Sequence, residues 1–364
     1  MTGYILRRVL LMIPTLFGIM VVNFVIIQFA PGGPVEQVIA TLSGGVTAAT
    51  ARIGGSESGE TSDPSNNSQP SKYLGSRGVD PELIAELERQ FGFDRPAHER
   101  FFKMLYNFVR FDFGDSYFRD RAVVDLIIEK MPVSISLGVW TTLLIYAVSI
   151  PLGIKKAVRD GSRFDIWSSL VIIVGYAIPG FMFAVLLIVV FAGGSYLDWF
   201  PLRGLVSPDW AQMSWPQKVV DYFWHLTLPI IAMLISGFAS LTMLTKNSFL
   251  EEINKQYVLT AHSKGVSEKR VLYGHVFRNA MLIVVAGFPS AIVAILFTSQ
   301  LLIEVIFSLD GLGLLGFESV VNRDYPVIFA TVYLFTLLGL VLHLVGDVMY
   351  MVIDPRIDFE SRGG

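Results

Sequence analysis

Six stretches of this chain run without a charged residue, apart from one Asp347, and they decide what it can fold into. They are 9–30, 131–154, 166–197, 222–245, 279–303 and 325–353. An unpaired Lys, Arg or Asp at the centre of a bilayer costs about 2.5–3.5 kcal/mol even on lenient scales, so runs of this kind mark hydrocarbon as their solvent. Each run supplies the roughly 20 apolar residues that a helix needs to cross about 30 Å of lipid. Composition agrees: 16% of residues are charged and mean hydropathy is +0.56, against roughly 25% charged in a soluble domain. A water-soluble enzyme is excluded as the default reading. The net charge of −3 offers no basic footprint for nucleic acid. With no cysteine there is no disulfide framework, thiolate nucleophile or Cys-ligated metal.

Arg7 and Arg8 precede the first run, which is longer than a secretory h-region and lacks an A-x-A-like cleavage site. It reads as a retained anchor. Orientation follows from Lys and Arg in the short loops. Arg7 and Arg8, Lys155, Lys156, Arg159 and Arg163, the six basic residues of 246–278, and Arg356 and Arg362 fall on one side. The short loops 198–221 and 304–324 hold only Arg203, Lys218 and Arg323. Both termini are therefore expected in the cytoplasm, with an all-α, six-span chain between them.

The expected organisation is a tail and first span over 1–30, a periplasmic segment over 31–130, a five-helix core over 131–353 and a cytoplasmic tail over 354–364. Within the periplasmic segment, 24 of the 38 residues of 41–78 are Gly, Ser, Thr, Pro, Asn or Gln. Such a stretch buries too little apolar surface to offset its ordering entropy, and it reads as a disordered insertion. Asp80-Pro81-Glu82 then opens a helical pattern up to Gly92, and Phe102, Leu105, Tyr106 and Val109 share one face of a second helix within 101–111. Together they read as a helical cap on the outer surface.

The loop 246–278 is short, polar and basic, and its pattern is helix, glycine, helix. Ile253, Tyr257, Val258 and Ala261 recur at helical spacing, Lys264 stands where a cation suits the helix dipole, and Gly265 supplies a position able to take φ > 0. Ser267 is placed to cap the next helix, with Glu268 in its first turn. An apolar face on a short helix lying along the membrane suits either lipid headgroups or a receiving protein.

The run from Tyr257 to Gly265, YVLTAHSKG, resembles the cytoplasmic "EAA" loop of membrane subunits of bacterial ABC importers, in the form used by the peptide-importing branch. Further stretches are similar to that branch: Ala30-Pro31-Gly32-Gly33-Pro34, Phe91-Gly92-Phe93-Asp94, Phe113-Gly114-Asp115-Ser116, Gly311-Leu312-Gly313, Arg323-Asp324-Tyr325-Pro326 and Asp354-Pro355-Arg356-Ile357. Each is weak alone, and their order across six spans is not. The polar insertion and Thr245-Lys246-Asn247-Ser248-Phe249-Leu250 look like the B-type permeases of Yej-type importers of oligopeptides and microcin C-like peptides. Departures are Leu259 in place of the glutamate that names the loop, His262 and Ser263 where Arg and Ala are common, and Asp310 where a proline often precedes Gly311.

The resemblance implies a type I importer permease fold and a division of labour. A homologous second permease would complete the pathway, and a periplasmic binding protein would deliver peptide. Cytoplasmic ATPase subunits, holding ATP and Mg, would grip Tyr257, Thr260, Ala261, His262, Lys264 and Gly265. The chain itself is expected to carry no cofactor and no catalytic or metal site. No G-x-x-x-x-G-K-[ST] phosphate loop occurs in it.

Single residues stay open between two roles. Asp347 lies inside a span with His343 and Tyr350 on its face, which suits either mutual hydrogen bonding or a pore-lining position. Glu304 and Asp310 are expected at the outer mouth. Arg323 and Asp324 form either a contact for the binding protein or a solvated turn before Pro326. His225 and His275 read as interfacial residues. Two other classes compete: a self-sufficient secondary carrier or channel, which calls for inverted repeats and several buried ionisable groups, and an intramembrane protease built on Ser236 and His343.

Overall fold

The computed structural model describes residues 2–29, 95–192, 194, 196–288, 291 and 300–353. The polar insertion, the helix expected after Asp80, most of the second half of the expected fifth span and the tail after Ile353 lie outside these residues. Among the described residues the elements are helical: α1 (Thr2–Phe29), α2 (Ala97–Val109), α3 (Val123–Val158), α4 (Arg163–Ala177), α5 (Gly180–Phe191), α6 (Trp215–Ile253), α7 (Gln256–Ser263), α8 (Glu268–Val271), α9 (Phe277–Ala286), α10 (Gln300–Ile306), α11 (Leu312–Asn322) and α12 (Tyr325–Ile353).

Among the described residues, four helices are long and apolar enough to cross a membrane, or five spans if α4 and α5 form one crossing. The expected third span is not straight: α4 and α5 meet at a 92° bend. The cause is local. Proline at 179 lacks an N–H and pushes Ile178 out of the helical region, to φ −85° and ψ 119°. By contrast α3 and α6 exceed the bilayer; 39 residues in α6 make a rod of about 58 Å at 1.5 Å per residue. A capping box starts it, with Ser214 N–H donating to the Gln217 side chain. Its C-terminal turns lie beyond its apolar span, 215–235, and carry the loop of interest.

The chain divides into two compact units. The larger, residues 1–11, 130–314 and 337–364, has one apolar core where Leu137, Ala184, Leu226, Ile230 and Phe307 meet, and a second beneath the 246–278 loop. The smaller unit, residues 12–129 and 315–336, is held by aromatic edges: Phe101 packs on Phe17 and Phe24, and Phe108 and Phe113 pack on Tyr333. Outward faces of α1 and α4 expose Leu10, Ile13, Ile166, Trp167 and Val171. So many large apolar side chains exposed on single helices suit lipid better than water.

Candidate functional site

Helix α7 is a two-turn element whose two sides differ. Val258 is buried, and Tyr257, Ala261 and Val266 pack beside it against Ile154 and Ala157 of α3 and Phe249 of α6. Leu259, Thr260, His262, Ser263, Lys264 and Gly265 are exposed, Leu259 to 70%. The helix ends in a Schellman turn: Gly265 N–H donates to the His262 carbonyl at 2.9 Å, and Val266 N–H to the Ala261 carbonyl at 3.2 Å. Gly265 sits at φ +75°, where a side chain would be strained. Lys264 is the residue after the last helical turn rather than within it. Ser267 takes the N-cap position of α8, but its hydroxyl makes no capping bond. Tyr257 Oη donates to Glu252 at 2.8 Å, tying α7 to the end of α6, and Ser248 Oγ donates to the Ala280 carbonyl. A five-residue π-helical turn, Leu272–Val276, then leads into α9.

Behind this loop lies a charged cluster that no motif announced. Lys246, in the C-terminal half of α6, places Nζ 2.8 Å from both Asp160 Oδ1 and Asp165 Oδ2. Lys156 is 0% exposed and stands 2.9 Å from Asp165 Oδ1, while also donating to Ser168 and Ser169. Asp165 further accepts the Gly161 N–H, which fixes the α3–α4 turn. Burial works against the Lys246 charge, and the two carboxylates more than offset it, so its ammonium is held above the ordinary lysine value. One turn away Gly153 lets α3 meet α6: a β-carbon there would stand 2.6 Å from Thr245 Cβ and 2.8 Å from the Thr242 carbonyl.

The other candidate residues do not converge on this loop. Glu304, expected at the outer mouth, is completely buried. Its carboxylate accepts the Leu314 N–H at 2.7 Å and the Gly313 N–H, and Ser134 both accepts the Leu312 N–H and reaches Glu304. It thus holds the start of α11. Asp310 is exposed and pairs with Lys130. Arg323 stands in a tight turn at φ +57°. Asp324, read from sequence as a solvated turn or an outer contact, is 3% exposed; it accepts Ser116 Oγ, Tyr117 N–H and Val327 N–H, and so caps α12 internally. Burial raises its carboxyl above the ordinary aspartate value.

Asp347 finds partners that the helix face did not indicate. Its Oδ2 accepts Tyr4 Oη at 2.9 Å and lies 3.1 Å from Arg8 Nη2, so α1 rather than His343 supplies the contact. That contact brings the start of α1 beside the C-terminal part of α12. A cleft of about 710 Å³ between α3, α5, α6, α9 and α10 is lined mostly by apolar groups, with Thr141, Thr142, Tyr146 and Ser240 as polar exceptions. No group of three His, Asp or Glu able to hold a metal occurs among the described residues.

Comparison with known proteins gives this arrangement a context. Residues 149–359 match the family described as "Binding-protein-dependent transport system inner membrane component". The chain is 61% identical to the "Peptidoglycan transport system permease protein YejB" of Agrobacterium fabrum and 59% identical to the "Inner membrane ABC transporter permease protein YejB" of Escherichia coli O157:H7, over all of both chains in each case. It is 32% identical to the "Oligopeptide transport system permease protein AppB" of Bacillus subtilis, over 99% of this chain and 100% of that one. The matched region begins within α3 and takes in the charged cluster, α7 and all of α12. With its membrane-length helices and full-length permease relatives, the chain belongs to the binding-protein-dependent transport system inner membrane components, the multi-pass permease subunits of ABC transporters.

Proposed function

We propose that this chain forms, with a homologous second permease, the pathway by which an ATP-driven importer carries peptides inward across the inner membrane. A short helix with one face packed and the other bare, ended by a Schellman turn at Gly265, carries the reading. Such a rigid knob transmits force from a partner's groove. ATPase subunits, binding ATP and Mg, grip the exposed side of α7 in this reading. Their closure moves α7, and the two permeases switch between outward and inward openings. A periplasmic binding protein presents the peptide. The loop 246–278 and both termini face the cytoplasm, in keeping with the basic residues around them. The apolar wall of the 710 Å³ cleft, with few polar groups, suits passage of peptides of varied sequence.

Relatives named for oligopeptides and for peptidoglycan define two substrate classes that share a peptide backbone. The greater identity to the second favours cell-wall-derived peptides among the cargo. Co-purification from native membranes is expected to recover a second permease and ATPases. Gly265→Trp, at φ +75° on the exposed turn, is expected to abolish ATP-driven uptake of labelled peptide while leaving the chain in the membrane. Unchanged uptake refutes the coupling role of α7.

A further inference from the structure

The loop 246–278 carries six basic residues, and five of them are exposed. Lys246 does not: its side chain is 12% exposed. A cation at a membrane edge gains hydration by turning outward, so its inward position needs a reason. The two carboxylates that receive it, Asp160 and Asp165, belong to a turn more than 80 residues earlier. Asp165 is shared with Lys156, which is wholly enclosed. Buried ion pairs contribute little net stability compared with apolar packing, yet a lone buried charge is costly, so such a cluster has one low-energy register. Sterics point the same way. Gly153 brings α3 onto the Thr242 and Thr245 turn of α6, and Ile154, Ala157, Phe249 and Val258 share one core.

We propose that Lys246 is a positioning residue for transport: it clamps the end of α6 to the α3–α4 turn, so that movement of α7 is delivered to α3 and α4 rather than absorbed by bending α6. This rests on the reading of α7 as the coupling helix. Without the clamp, the end of α6 keeps its Ser248 hydrogen bond to α9 but meets the end of α3 through apolar contacts that can slide. ATP hydrolysis then continues while the pathway responds weakly.

The test uses the whole importer in proteoliposomes, with peptide uptake and ATP hydrolysis measured together. For Lys246→Met, hydrolysis within about twofold of wild type and uptake per ATP lower by about tenfold are expected, with Lys246→Arg restoring most of the loss. Asp160→Asn, which leaves Asp165 in place, is expected to give a smaller fall in the same ratio and decides the matter if Lys246→Met does not assemble. An unchanged ratio overturns the clamp, as does an assembled variant in which uptake and hydrolysis fall in proportion. The Gly265→Trp variant separates the two ideas. If it is inactive while Lys246→Met is normal, only the clamp fails; if Gly265→Trp is also normal, the coupling reading fails with it.

Discussion

Replacing Gly311 by alanine adds a single carbon, and the structure says where it would go. The new β-carbon would stand 2.5 Å from Glu304 Cδ and 2.9 Å from Oε2, closer than real contacts allow. Glu304 is completely enclosed and cannot swing into solvent. Its carboxylate must retreat from the Leu314 N–H that it now accepts at 2.7 Å. Loss of a hydrogen bond to a charged acceptor costs about 1.5–3 kcal/mol, and overpacking a filled site adds about 1–3 kcal/mol, so Gly311→Ala is expected to lose about 3–5 kcal/mol. Gly316, with nothing within 4 Å of its own added carbon, is the control and is expected to be near neutral as Gly316→Ala. Denaturant unfolding in detergent, followed by tryptophan fluorescence, measures both. A double-mutant cycle sharpens the test: in a Glu304→Ala background, the Gly311→Ala cost is expected to shrink to less than half. A Gly311→Ala protein within about 0.5 kcal/mol of wild type refutes the reasoning.

Asp324 gives a dependence on pH. Its folded carboxyl lies above the unfolded value, so the folded state holds the proton more tightly; stability is greatest below the ordinary carboxylate range and falls as pH rises through the folded value. Thermal melts from about pH 4 to about pH 7 should show that slope, and Asp324→Asn, which keeps a capping side chain, should flatten it. At Gly153, a leucine has no room beside Thr245 Cβ and the Thr242 carbonyl, and Gly153→Leu is expected to cost about 3 kcal/mol or more and to lower the yield of assembled transporter. A well-expressed, active Gly153→Leu chain would show that α3 and α6 do not depend on this close approach.

Local chemistry made part of this molecule readable. The glycine at 265 announces a left-handed turn because few other residues tolerate one, and the face formed by Tyr257, Val258 and Ala261 follows from helical spacing. The break before α5 was not read, although Pro179 marks it, because a long uncharged run hides a bend: hydropathy counts residues and not their direction. Charge was legible as a count only. Lys156 and Lys246 were read as inner-face cations, and nothing in their neighbourhoods shows that they meet over Asp165, 81 residues from Lys246. Asp347 failed for the same reason. Residues on its own helix face were the partners that sequence offers, whereas Tyr4 is 343 positions away. Asp324 looked like a surface turn because capping aspartates and solvated ones occupy the same sequence context.

The contact between α1 and α12 also bears on how the chain is made. A ribosome delivers Tyr4 and Arg8 first and Asp347 last, so the carboxylate enters a bilayer where its partners already wait. Helix α12 thus fastens α1, so the α1–α12 contact closes only after the helices between them have been made.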